Sequence, residues 1–176
     1  MNILDKKKIA IFGWPASCKS TLGRVLSGKL GIELYSLDLI RWKYSSQCIK
    51  DDEKFLEEYE TILKRDEWII EGNALDWIDS RLKLADVLIF FDSTVEKCIE
   101  NYQNRASKIA IGEEERLNCD SSKDMDSFVD WVTNRYSKKI ERLRPILDDY
   151  KDKLIVINDY EELNRLIENI DIQVGT

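Results

Sequence analysis

The segment from Lys8 to Leu30, KIAIFGWPASCKSTLGRVLSGKL, constrains this chain more than any other. Ile9, Ala10, Ile11 and Phe12 form a short apolar run that stops at Gly13. Leu22, Val25, Leu26 and Leu30 then recur at helical spacing, with Gly31 placed to close the helix. A strand that turns tightly into a helix aims backbone N–H groups of the loop and the first helical turn at one point, which makes an anion site. Gly13 followed by Lys19-Ser20-Thr21 is the spacing of a phosphate-binding P-loop, with one departure: Cys18 stands where the pattern has glycine. The less specific alternative is an ordinary strand-turn-helix opening an α/β domain.

The rest of the chain repeats the alternation. Glu33 to Asp38 reads as a second strand ending at an acidic residue, and Asp51 to Arg65 as a helix with Phe55, Tyr59, Ile62 and Leu63 on one face. Trp68 to Gly72 and Val87 to Asp92 read as third and fourth strands, the latter continuously apolar as a strand covered on both faces should be. Ser93 with Glu96 forms a capping box for the next helix, whose stripe is Val95, Ile99 and Tyr102. The sequence from Lys108 to Asp126 is polar and aperiodic and reads as a loop or lid. A long helix follows through Phe128, Val132, Tyr136, Ile140 and Leu143, which Pro145 ends or kinks. Leu154 to Ile157 is a fifth strand, and Asp159 with Glu162 caps a last helix. Alternating strands and helices imply a parallel sheet covered on both faces, with ligands beyond the carboxyl ends of its strands. Gly13, Asp38, Glu71-Gly72 and Asp92 all fall at those ends.

At 176 residues the chain suits one domain, taken here as 1–176 with a lid at about 108–126. The net charge of −7 opposes non-specific nucleic-acid binding, although the segment from Glu96 to Arg144 is charge-balanced and would tolerate an anionic ligand better than the remainder. No apolar run is long enough to span a bilayer, and MNILDKKK lacks the features of a signal peptide, so a cytoplasmic protein is expected. Cys18, Cys48, Cys98 and Cys119 are widely separated, which favours reduced thiols over a metal cluster.

The loop GWPASCKSTLGRVLSGKLGIELYSLD, the segments EWIIEGN and SRLKLADVLIFFD, and the helix around DSFVDWV together resemble the small P-loop kinases related to adenylate kinase. Within them the chain is most similar to the group labelled DNA topology modulation or FlaR-like proteins. The resemblance runs from about Lys8 to Ile157. It implies a three-layer P-loop fold with a five-stranded parallel sheet of order 2-3-1-4-5, a short lid, ATP with Mg2+, and transfer of the γ-phosphoryl group.

Gly13, Pro15, Ala16, Ser17 and Cys18 would build the phosphate cradle. Lys19 would neutralise the phosphates, Ser20 would ligate magnesium, and Thr21 would donate to the α-phosphate. By the resemblance, Asp38 lies near the acceptor, where it binds or deprotonates the acceptor hydroxyl or orients it through a water on magnesium, and Glu71 holds magnesium through water. Gly72 admits the acceptor to the backbone and Asn73 contacts it. Arginines are the expected clamps, because a guanidinium meets phosphoryl oxygens with a fork of donors. Arg81, Arg116 in the lid and Arg135 on the helix after it are assigned to the acceptor, and Arg105 to the nucleotide. Asn158 falls beside the adenine. Trp42 lines the acceptor pocket, whereas Trp68 and Trp131 suit the core. The family's lid commonly carries glycine and proline where this chain has Asn118-Cys119-Asp120.

The expected function is ATP-dependent phosphoryl transfer to a small acceptor, a nucleotide or another hydroxyl- or phosphate-bearing compound. Cys18 keeps open a second reading, a non-catalytic or weakly nucleotide-binding P-loop protein. A third, a DNA-associated topology modulator, conflicts with the acidity. Cysteine in a left-handed conformation, or a loop relaxed to avoid it, is expected to weaken ATP binding by about ten- to a hundredfold.

Overall fold

The computed structural model describes residues 3–46, 49–110 and 125–174. Five strands form one parallel sheet: β1 (Lys8–Gly13), β2 (Leu34–Ser36), β3 (Trp68–Glu71), β4 (Val87–Phe91) and β5 (Leu154–Ile157), in the order 2-3-1-4-5. Ile11 pairs with Glu71 on one side, and Gly13 with Phe91 on the other.

The period of a strand divides the core in two. Ile9 and Ile11 face one side with Ile69, Val87 and Ile89, and meet Leu22 and Leu26 of α1 (Lys19–Leu30) and Leu163 and Ile170 of α8 (Tyr160–Val174). Ala10 and Phe12 face the other side with Trp68, Ile70, Leu88 and Phe90. They are covered by α3 (Asp52–Leu63), α4 (Ile78–Leu84), α5 (Val95–Ala110) and α7 (Ser137–Leu147) through Phe55, Leu82, Cys98 and Ile140. These strand residues are fully or almost fully buried, each large one contributing about 1.5–3 kcal/mol of transfer free energy. Helices on both faces of a parallel sheet of this order give the three-layer architecture that the sequence predicts.

Several boundaries differ from expectation. The second strand ends at Ser36, and the short helix α2 (Leu37–Lys43) begins there, so Asp38 lies in a helical first turn. The N-cap of α5 is Thr94, whose hydroxyl accepts from the Lys97 amide at 3.2 Å; Ser93 plays no such part. Helix α5 continues to Ala110, past the predicted start of the lid, and α6 (Met125–Trp131) begins inside its predicted end. The stretch between them, with Arg116, Asn118, Cys119 and Asp120, lies outside the described residues, as does Cys48.

The predicted long helix is divided. Between α6 and α7 lies one π-helical segment, Val132–Tyr136. Phe128, Val132, Tyr136 and Ile140 recur every four residues, and all four are buried. At about 3.6 residues per turn such a row drifts round the helix, and a wider π turn returns it to the core. Pro145 does not end α7, which runs on to Leu147. Among the described residues no helix is long and apolar enough to cross a membrane.

Candidate functional site

The loop from Gly13 to Cys18 joins β1 to α1 at the carboxyl edge of the sheet. Gly13 has φ +124°, and a Cβ there would sit 2.2 Å from the Phe91 carbonyl oxygen, so neither the conformation nor the space admits a side chain. The Trp14 amide donates to that same carbonyl at 3.0 Å. Trp14 is buried, and its indole N–H donates to Asp92 Oδ1 (3.2 Å), which also takes a hydrogen bond from Arg144 (2.7 Å).

Two further residues of the loop are left-handed, Ala16 at φ +52° and Cys18 at φ +64°. Cys18 therefore keeps the backbone conformation that glycine would supply, as the first of the two expected routes requires. Its thiol is 3.6 Å from the Tyr160 hydroxyl, at the start of α8. Ala16 carried no sequence signal of strain; the structure adds it to Cys18. Left-handed residues alternating with right-handed ones turn successive N–H groups toward one side, a concavity suited to anions. The N-terminus of α1 supports this geometry. Cys18 makes no side-chain cap hydrogen bond, the first turn carries no acidic residue, and Ser20 and Thr21 are exposed.

Lys19 is buried beneath the loop and donates to the Trp14 carbonyl (2.5 Å) and to Ser17 Oγ (3.2 Å). Burial lowers its pKa below the ordinary lysine value, and the charges of Glu71 and Asp38 oppose that shift. A cation held in a low-dielectric site is costly unless anions stand near it. Lys19, Glu71 and Asp38 thus occupy one electrostatic neighbourhood, although they come from three elements. Glu71 is buried at the end of β3, while Asp38 is exposed. Gly72, at φ +116°, has Leu37 Cβ 3.1 Å from the position a Cβ would take and the Asp38 amide 3.6 Å from it, so it packs against the first turn of α2. Trp42, on the same helix, is half-buried.

Arg81 departs from its expected role. It is fully buried, and its guanidinium donates to the carbonyls of Gly72 (2.8 Å), Asn73 and Ala74 (3.4 Å). Those bonds commit it to holding the loop after β3 rather than to clamping an acceptor. Asn73 is likewise turned toward the loop after β1, its Oδ1 accepting from the Gly13 amide at 3.2 Å. Arg105 lies exposed within α5, and Arg135 is exposed in the π segment. Asn158 is exposed after β5, and its backbone and side-chain N–H groups both donate to Glu162 (2.7 and 3.0 Å). Trp68 is core, and Trp131 packs on Phe128 and Tyr136. Pro15 is half-buried and its carbonyl accepts from the Cys98 thiol at 3.3 Å.

Sequence reasoning missed Tyr136. Its hydroxyl donates to the Gly13 carbonyl at 2.8 Å, across 123 residues of chain. Only its buried register in the helix signalled it. Among the described residues, no three acidic, cysteine or histidine side chains cluster to hold a metal ion.

No family model matches the chain, and no curated protein does. Among solved structures it is similar to a shikimate kinase from Bacteroides thetaiotaomicron, with a TM-score of 0.59 and 13% identity over 97% of this chain and 99% of that one. It is also similar to a gluconokinase from Sinorhizobium meliloti 1021, with a TM-score of 0.54 and 16% identity over 95% and 97% of the two chains. Both are small P-loop kinases of the adenylate-kinase-like fold, and at these identities the likeness is one of fold.

Proposed function

We propose that the chain is an ATP-dependent phosphotransferase acting on a small hydroxyl- or phosphate-bearing acceptor, and that residues 1–176 act as one kinase domain with ATP and Mg2+. The observation that carries this reading is the junction of β1 and α1. An uncapped helix N-terminus, a left-handed loop and a buried lysine converge within the electrostatic reach of Glu71 and Asp38. The resemblance to small P-loop kinases read from the sequence and the fold shared with a shikimate kinase and a gluconokinase support this reaction class.

The residues present fit the nucleotide and its metal. The backbone of 13–18 and the amides of α1 would hold the phosphates, with Lys19 moving its donors from Trp14 and Ser17 onto them. Ser20 would hold magnesium, with Glu71 reaching it through water. Bound magnesium would neutralise charge on the phosphates, and no carboxylate cluster of the protein is needed for that. Asp38 would accept the proton of an acceptor hydroxyl placed against Gly72 and Trp42. Arg105 and Asn158 would serve the nucleotide, and Arg116 and Arg135 the acceptor. Arg81 and Asn73 would shape the acceptor wall from behind.

A second reading, nucleotide binding without transfer, is favoured by one observation: side chains at the left-handed positions Ala16 and Cys18. An ATP-consumption screen over nucleotides, sugars and amino alcohols separates the two. Acceptor-dependent turnover that Lys19→Met abolishes supports the phosphotransferase. Nucleotide binding with no turnover on any acceptor supports the second reading.

A further inference from the structure

Gly13 is the hinge on which the loop leaves the sheet, and both of its backbone polar groups are held by side chains from distant parts of the chain. The ladder between β1 and β3 ends with the Gly72 amide donating to the Ile11 carbonyl at 3.1 Å. Asn73 Oδ1 continues it by accepting from the Gly13 amide at 3.2 Å. Asn73 is itself fixed through its carbonyl by Arg81. On the other side, Tyr136 Oη donates to the Gly13 carbonyl at 2.8 Å. Its ring lies between Trp14 and Trp131, with centroids 6.0 and 4.8 Å away, and is almost fully buried. Burial pushes the phenol well above its ordinary pKa, so it remains a donor at physiological pH. The π segment delivers this side chain: Tyr136 is its last residue.

We propose that Asn73 and Tyr136 are positioning residues that clamp the two peptide groups of Gly13 and thereby aim the loop's N–H groups at the nucleotide phosphates. The inference rests on the reading of 13–21 as a nucleotide site. Neither side chain touches the phosphates; both act through Gly13. Deleting either partner leaves a peptide group of the hinge unsatisfied in a buried place, which the loop relieves by turning away from its binding geometry.

The test compares Tyr136→Phe and Asn73→Ala with Ser27→Ala. Ser27 donates one hydroxyl hydrogen bond to the Ile32 carbonyl (2.6 Å) at the far end of α1, and its loss serves as a matched deletion away from the loop. MgADP binding is measured by calorimetry, and melting is recorded for each variant. The clamp predicts a Kd raised by about three- to tenfold in Tyr136→Phe and in Asn73→Ala, as expected for one hydrogen bond. In the double variant the loss is smaller than the product of the two, because both act on one residue. Ser27→Ala leaves Kd unchanged at a comparable loss of melting temperature. Unchanged Kd in both test variants, or an equal rise in Ser27→Ala, overturns the proposal. If the wild-type chain binds no MgADP, the nucleotide reading fails and the clamp is judged by amide exchange. Faster exchange at Trp14, Ala16 and Ser17 in Tyr136→Phe supports it, and unchanged exchange overturns it.

Discussion

Replacing Cys18 by glycine separates strain that the fold carries permanently from strain incurred on binding. Cys18 sits at φ +64°, ψ +18°, where a β-carbon costs about 1–2 kcal/mol. A loop that holds this conformation both before and after binding carries the strain in the stability of the fold, and the strain cancels from the binding equilibrium. Glycine removes it but adds conformational entropy to the unfolded chain, an opposing effect of about 0.5–1 kcal/mol. The lost contact between the thiol and Tyr160, at 3.6 Å, is weak. Cys18→Gly should therefore stabilise the protein by about 0.5–1 kcal/mol, seen as a rise of about 1–4 °C in melting temperature for a chain of this size. ATP affinity should change by less than about threefold. This revises the loss of ten- to a hundredfold expected from sequence, which treated strain and lost phosphate contacts alike as costs to binding. Paired thermal melts and calorimetric titrations with ATP and magnesium decide it. Affinity tightened tenfold or more with unchanged stability would refute the reasoning, since the loop would then have to enter its strained form only on binding.

Asp38→Asn should lower kcat by two or more orders of magnitude with little change in ATP affinity, as loss of a general base does; collapse of ATP affinity would assign Asp38 to the metal instead. Lys19 predicts an alkaline limit to binding. Phosphates require its ammonium form, and burial lowers its pKa in the free protein, so affinity should be full below that pKa and fall as pH rises through it, starting below 10.5. Titrations of the Cys18→Gly variant at several pH values read this without the neighbouring thiol, and affinity flat to pH 10.5 would contradict it. Cys98, whose thiol burial pushes up to about 12, should resist alkylation in the native protein at pH 8, as mass spectrometry of iodoacetamide-treated protein can show; rapid labelling would mean that the packing under Pro15 is loose.

The path from β1 through α1 was legible because three signals agree there: an apolar run, a glycine stop and a helical stripe. The sheet order was reached through the resemblance, and continuous apolar strands such as Val87 to Phe91 support its burial on both faces. What was missed follows from competition between local signals. Ser36 to Asp38 continues a strand pattern, yet α2 starts there because Leu37 and Ile40 are buried together in its first turns. Arg81 carries the chemistry of a phosphate clamp, but it lies in α4 between the buried Ile78 and Leu82, and so serves carbonyls in the interior. The run of four-residue spacings from Phe128 to Ile140 held the sign of the π segment, and was read as a regular helix. The bond from Tyr136 to Gly13 joins residues so far apart in sequence that no local pattern encodes it.

The central claim is that the β1–α1 junction binds nucleotide phosphates through Lys19. It is tested most directly by calorimetric titration of the wild-type chain and of Lys19→Met with ATP and magnesium. The account predicts one site per chain with a Kd between about 1 μM and 1 mM for the wild type, the usual range for enzyme substrates, and no measurable binding by a variant of unchanged circular dichroism. Equal binding by both proteins, or none by the wild type, would contradict it.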